Sequence, residues 1–132
     1  MIPEGFDKAV DYHISLIPGV NTDYPLNAEL RAGELLRFSA QLLRLRTMTI
    51  SEKIASNCIG VAVYHEIYQN TLFPDKIGVN EKKATVEANP RYLDAMSKVE
   101  FCEGEIKYLS GLLDLFNNGH LLLRQMAKGL TV

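Results

Sequence analysis

The sequence is poor in the residues that most often build catalytic and metal sites. It contains no tryptophan, two cysteines and three histidines in 132 residues. His65 and Glu66 begin like a zinc protease motif, in which two histidines one turn apart hold the metal, but Gln69 occupies the second position. We therefore predict no metal and no other cofactor.

The scarcity of cysteine also bears on redox chemistry. Cys58 and Cys102 both fall on apolar faces of predicted helices. Two such thiols in an intracellular helical protein are more often buried than oxidised or bound to metal. We predict two buried, structural thiols.

Long hydrophobic runs are missing too. The longest uncharged apolar run, around Cys58 to Tyr64, is far shorter than a bilayer span, and the first residues lack the pattern of a secretory signal. The sequence therefore predicts a cytoplasmic protein with no membrane contact.

Neither sign of charge dominates the chain. The net charge is -2. The 132 residues are 47% hydrophobic and only 23% charged, a length and composition that predict one folded domain over residues 1–132. This mild acidity argues against polyanion binding over the whole surface, but a local basic stripe remains compatible with it.

Hydrophobic spacing predicts an all-α protein. Residues 3–17 have apolar positions every three or four residues, and Pro18 and Gly19 are expected to end this first helix. The same stretch also alternates as a strand would, and we favour the helix. A second helix is predicted from Asn27, a suitable N-cap, to about Arg46.

Two further helices and a short segment follow. Thr49 and Glu52 have the spacing of a capping box, which predicts a new helix ending near Phe73. The stretch EKKATVEA is predicted to be helical and to break near Asn89, because a residue before proline avoids the α region. Pro90 then starts a long C-terminal helix.

The long C-terminal helix carries a heptad seam, which is typical of a bundle or coiled coil. One seam position is apolar except at His120, and the other is apolar throughout. We predict a homo-oligomer with contacts at Leu109, Leu113, Phe116 and Leu123. The alternative is that the whole seam is core within one chain.

The sequence gives little support for an enzyme. Glu100, Glu103 and Glu105 lie close together in the last helix, but no nucleophile, base and orienting group accompany them. Gly104 and Gly111 do not belong to a phosphate-binding loop, and we interpret them as sites of close helix approach.

Cations cluster in the second helix and around the later loop, with tyrosines in the same central region. This pattern is compatible with a track for a single nucleic acid strand. The alternative is that the cations are solvated and the tyrosines are core. The candidate phosphate contacts are Arg37, Arg44, Lys53, Lys82, Lys83 and Arg91.

The order of these features resembles the UvsY-type recombination mediators of tailed phages. The resemblance is strongest where YHEIYQN, a loop, NEKKATVEANPRY and FCEGEIKYLSGLLDLFNNGHLLLRQM follow one another, and looser over DYPLNAELRAGELLRFSAQLL. It covers about residues 20 to 128. Family members place a run of basic residues in the central helix, where SEKIASNCIGVAVYH offers only Lys53.

The resemblance implies a non-catalytic protein that binds single-stranded DNA and helps to load a RecA-like recombinase. It also implies a ring-shaped homo-oligomer, a single-strand binding protein as a further partner, and the host cytoplasm as location if a phage encodes the chain. A ring of subunits would bring together many copies of a weakly cationic surface patch, which raises the avidity for a strand. The alternative is a small helical inhibitor or adaptor that acts by protein–protein interaction.

Overall fold

The computed structural model describes residues 2–17 and 27–129, and these residues form four α-helices and no strand. The helices are α1 (Phe6–Ser15), α2 (Ala28–Asn70), α3 (Val79–Glu87) and α4 (Pro90–Gly129). The all-α prediction is confirmed. The predicted stop of the first helix at Pro18 and Gly19 lies outside the described residues.

The predicted break between the second and third helices is wrong. Helix α2 runs through Arg46 and Thr49 without interruption. The intervening residues include neither glycine nor proline, and the Thr47 hydroxyl donates a hydrogen bond to the Leu43 carbonyl oxygen at 2.9 Å, so threonine is accommodated inside the helix. Thr49 is 1% exposed and serves as a buried helix residue instead of a cap.

The predicted break before the last helix is confirmed. Helix α3 ends at Glu87, and α4 starts at Pro90, whose missing N–H costs nothing in a first turn. The Asn89 side-chain oxygen accepts a hydrogen bond from the Arg91 backbone N–H at 2.9 Å. This is the geometry of an N-cap, and it fixes where the long helix begins.

The chain divides into two compact units, which share the two long helices. The first contains residues 1–47 and 107–132, and the second contains residues 48–106. Each unit therefore holds part of α2 and part of α4; α1 belongs to the first unit and α3 to the second.

The first unit has an apolar and aromatic core. The Phe38 ring lies 5.3 Å from the Phe116 ring at 76°, an edge-to-face arrangement, and the His13 ring stacks on Phe38 at 3.9 Å. Helices α1, α2 and α4 all contribute buried side chains: Phe6, Val10, Ala28, Ala32, Leu35, Phe38, Leu42, Leu109, Leu112, Phe116 and Leu123.

The one polar residue in the heptad seam is explained within this unit. His120 is half-buried, and its Nδ1 lies 3.0 Å from the Ala32 carbonyl oxygen. A carbonyl oxygen only accepts, so Nδ1 donates to it. The hydrogen bond satisfies the imidazole at an otherwise apolar position.

The second unit has a smaller and more polar core. Its buried residues are Thr49, Gly60, Ile67, Val86, Ala95, Val99, Cys102 and Glu105. At Gly60 an added Cβ would lie 3.0 Å from the Met96 sulfur, so glycine permits α2 and α4 to approach closely here.

Candidate nucleic-acid interface

Four aromatic side chains of the second unit form one group, which we call the aromatic cluster: Tyr64, Tyr68, Phe73 and Tyr92. Tyr64 and Tyr68 lie one turn apart on α2, with nearly parallel rings 6.3 Å apart. Tyr92, from the start of α4, meets the Tyr64 ring edge-on at 5.7 Å. Phe73, from the loop after α2, lies 5.4 Å from Tyr68. The one-turn spacing of Tyr64 and Tyr68 on α2 places their rings side by side, and the start of α4 at Pro90 places Tyr92 next to them. Three separate segments of the chain therefore meet in the cluster.

The aromatic cluster is partly exposed to solvent. Tyr68 is 36% exposed, and the other three side chains are half-buried. Half-buried rings are held in place by the protein while part of each ring contacts solvent. Such rings can stack on bases without ordering themselves first, which lowers the entropic cost of binding.

Two of the predicted phosphate contacts lie beside this cluster. The Lys82 ammonium lies 5.5 Å from the centroid of the Phe73 ring, which is within cation–π range. Arg91 precedes Tyr92 directly and is exposed at the N-terminus of α4. A helix N-terminus carries partial positive charge and adds to the attraction for a phosphate there.

The cations near the cluster also have acidic neighbours. The Arg91 guanidinium contacts both Glu66 carboxylate oxygens, at 3.2 and 3.5 Å. Lys83 lies 3.9 Å from Glu87, one turn along α3. All four side chains are largely exposed, and exposed ion pairs contribute only about 0–1 kcal/mol. A phosphate can therefore replace either carboxylate at small cost.

Lys53 does not join this group. It lies roughly 16 Å along α2 from Tyr64, at 1.5 Å per residue. Its ammonium pairs with Glu103 at 3.4 Å, which links α2 to α4 inside the second unit. We therefore interpret Lys53 as a residue that stabilises the packing of α2 against α4, and not as a phosphate contact.

Arg37 and Arg44 belong to the first unit. Both are exposed on α2, seven residues apart, and neither forms an ion pair within the described part of the chain. They form a second, smaller cationic surface without aromatic neighbours of the kind found around Tyr64. The six predicted contacts are thus divided between the two units.

Phe73 was missed by the sequence reasoning, which treated it only as the end of a helix. The signal available was an aromatic residue in a short loop that leads to lysines. Glu66 was missed as well, because a carboxylate beside Arg91 depends on α2 and α4 packing side by side.

The burial of the predicted oligomer contacts changes their interpretation. Leu109, Phe116 and Leu123 are each 0% exposed in the core of the first unit, while Leu113 is half-buried. Fully buried side chains are not available to a second chain unless the unit opens. Their burial favours the alternative that this side of the seam is core within one chain.

The prediction of two buried thiols holds for one cysteine only. Cys102 is 3% exposed, whereas Cys58 is exposed on α2, and both are free. The apolar neighbours of Cys58 on that face, Ile54 and Val61, are 61% and 50% exposed, so this part of the face points away from the core. Apolar periodicity alone does not show which of two apolar faces the core covers.

The two thiols are expected to react at very different rates. Burial raises the pKa of the Cys102 thiol, with smaller contributions from the carboxylates of Glu52 and Glu105. A raised pKa leaves less thiolate at neutral pH, and the thiolate is the reactive form. We expect a thiol reagent to modify one cysteine per native chain quickly and the second only on unfolding. Cys58→Ser should remove the fast reaction, and two fast thiols in that assay would contradict the placement of Cys102.

Two further features of the described residues bear on the kind of site present. No helix in these ranges is long and apolar enough to cross a membrane. Across residues 2–17 and 27–129, no three or more histidine, cysteine, aspartate or glutamate side chains converge as metal ligands would.

Comparison with protein-family models, curated proteins and solved structures finds no match for this chain.

Proposed function

We propose that the protein binds single-stranded DNA and acts as a non-catalytic recombination mediator that helps to load a RecA-like recombinase. The observation that carries the DNA-binding part is the aromatic cluster with Lys82 and Arg91 beside it, within one unit. Rings for bases and cations for phosphates are the two components of sequence-tolerant single-strand binding.

The aromatic cluster supplies the strand selectivity in this proposal. Stacking of a base on an aromatic side chain contributes about 1–3 kcal/mol, and it requires a base that is not already paired and stacked in a duplex. Tyr68 is the most exposed tyrosine of the cluster, and we assign it the first stacking contact. Duplex DNA offers its phosphates but not its base faces, so it should bind more weakly.

The cations supply the affinity. Lys82, Lys83 and Arg91 would neutralise phosphates and release condensed counterions, which gives binding a salt dependence. Three cations per chain are few in a protein of net charge -2. Homo-oligomerisation would present several such patches to one strand and raise the avidity by orders of magnitude.

The recombinase-loading part of the proposal rests on the resemblance to UvsY-type mediators. A mediator of this kind would act on single-stranded DNA covered by a single-strand binding protein and make room for the recombinase. The combination of the aromatic cluster with neighbouring cations suits such a role, because base stacking and phosphate contacts are both independent of base sequence.

A second candidate function is a helical inhibitor or adaptor that binds another protein. It is supported by the many large apolar side chains exposed on both long helices, including Leu30 at 71%, Ile59 at 60% and Phe101 at 67%. Large apolar side chains that are exposed side by side are typical of contact with other proteins.

Fluorescence anisotropy with a labelled oligo-dT and a matched duplex tests the proposal. We expect salt-sensitive binding of the single strand, with log affinity falling by about 0.7 per phosphate neutralised, and weaker binding of the duplex. In a second step, the protein should speed assembly of a RecA-like recombinase on strands coated with single-strand binding protein. Failure to bind oligo-dT at low salt would favour the inhibitor or adaptor.

A further inference from the structure

A cleft lies between α2 and α4 within the first unit, and we call it the α2–α4 cleft. Its volume is about 670 Å³, which falls within the range of roughly 300–1,000 Å³ that is usual for small-molecule sites. Leu36 and Leu43 of α2 and Leu113 of α4 form its apolar part. Leu36 and Leu43 are 54% and 52% exposed, so this apolar surface is open to a ligand.

Two buried polar atoms of the residues that line this cleft have no hydrogen-bond partner. They are the hydroxyl oxygen of Ser39, a residue only 7% exposed, and Nε of Arg46. The described part of the chain has one other such side-chain atom, a carboxylate oxygen of Glu105 in the second unit. Buried polar groups are normally paired. Both Ser39 and Arg46 can turn about their own single bonds to meet a ligand in the cleft.

The cleft also carries one charge of each sign. Arg46 and Asp114 both line it, the first half-buried and the second exposed. Neither forms an ion pair within the ranges that the structure describes. Each of the two charges is therefore available to a group of opposite charge on a ligand.

The two charges lie at different levels of the cleft. Phe38 of α2 contacts Phe116 of α4, and the Ala32 carbonyl oxygen accepts the hydrogen bond from His120. These pairs show that the two helices run antiparallel in this unit. The acidic residue therefore lies about seven residues from the level of the basic one, or about 10 Å along the cleft.

We propose that the α2–α4 cleft binds a short peptide of about three residues with free termini and apolar side chains. The peptide's C-terminal carboxylate pairs with Arg46, and its N-terminal ammonium pairs with Asp114. Three extended residues span at most about 10 Å, which matches the separation of the two charges. A ligand with a carboxylate alone would meet Arg46 but place nothing opposite Asp114.

The uncharged residues of the cleft suit the middle of such a peptide. Ser39 lies near the level of Asp114, so its hydroxyl can donate to the first carbonyl oxygen of the peptide backbone. The apolar side chains of the peptide lie against Leu43 and Leu113, which removes apolar surface from water. The cleft belongs to the first unit and the aromatic cluster to the second. The proposal therefore does not depend on DNA binding.

Isothermal titration calorimetry of the full chain with the tripeptide Leu-Ala-Leu tests the site. We expect saturable binding by the wild type, and about tenfold weaker binding by Arg46→Gln and by Asp114→Asn, because each variant loses one charge-assisted contact. Acetylation removes the ammonium charge of the peptide, and amidation removes its carboxylate. Asp114→Asn should therefore bind the acetylated peptide to within about twofold of the wild type, as Arg46→Gln should bind the amidated one, because the contact is already lost.

Ser39→Ala separates a ligand contact from a structural one. Removing an unpaired buried hydroxyl should leave the melting temperature unchanged or raise it, while binding of the tripeptide weakens about threefold. Ala40→Phe should fill the cleft and abolish binding with the helicity unchanged. Lys8→Gln and Asp11→Asn are the controls, exposed residues of α1 that do not line the cleft, and both should bind as the wild type does.

Three results would overturn the proposal. The first is a wild-type chain that does not bind the free tripeptide at millimolar concentration. The second is octanoate binding as tightly as the tripeptide, since the ammonium would then contribute nothing. The third is an equal loss on Asp114→Asn for the free and the acetylated peptide, because the variant would then act on the fold and not on the peptide terminus.

Discussion

Replacing Phe116 with alanine is expected to lower the free energy of unfolding by about 3–5 kcal/mol. The ring is 0% exposed and contacts Phe38 edge-on at 5.3 Å. Its removal loses the transfer free energy of the ring and leaves a cavity that the helices cannot fully close. Urea denaturation followed by far-UV circular dichroism measures the change.

Leu121→Ala is the control for Phe116→Ala, because Leu121 lies in the same helix but is 58% exposed. We expect its effect to stay within about 0.5 kcal/mol. Charged replacements at Leu109 and Phe116 together should unfold the first unit instead of separating intact subunits. A folded monomer in that double variant would show that these side chains belong to an interface after all.

Removing Lys82, Lys83 and Arg91 together is expected to weaken oligo-dT binding by roughly ten- to a hundredfold at low salt. For every phosphate that the variant no longer neutralises, the plot of log affinity against log salt should also become flatter by about 0.7. The weakening should be similar for strands of different sequence, because phosphate contacts carry no sequence information. Anisotropy titrations of the triple alanine variant over a salt series measure both quantities.

The matched control changes Lys8, Lys107 and Arg124 to alanine. These three exposed cations belong to the first unit, whereas the aromatic cluster belongs to the second, and their removal alters the net charge by the same amount. The control should keep most of the affinity and the wild-type slope. If the Lys82, Lys83 and Arg91 variant behaves like the control, the phosphate contacts belong to the Arg37 and Arg44 surface, and Arg37→Ala with Arg44→Ala should then abolish binding.

Local signals in the sequence were sufficient for the helix break between α3 and α4. Asn89 and Pro90 restrict the backbone through their own geometry, so the break there is visible without knowledge of the fold. The apparent capping box at Thr49 was misleading for the opposite reason. A cap requires the chain to leave the helix, and residues 46–49 contain nothing that forces it to do so.

The candidate site was only partly visible in the sequence. Lys82, Lys83 and Arg91 and the tyrosines were identified from clustering along the chain. Their arrangement was not, because Phe73 reaches Tyr68 through a loop and Tyr92 reaches Tyr64 from another helix. Lys53 appeared equivalent to the other cations until its pairing with Glu103 was known.

The sequence by itself determined the helical class, the start of α4 and its heptad seam, because these follow from residues near one another in the chain. Only the tertiary structure decided which side of each long helix is covered. An amphipathic helix shows its apolar residues but not their partners, and a shift of one residue turns a side chain by about 100°. That rotation separates buried Phe116 from exposed Leu115.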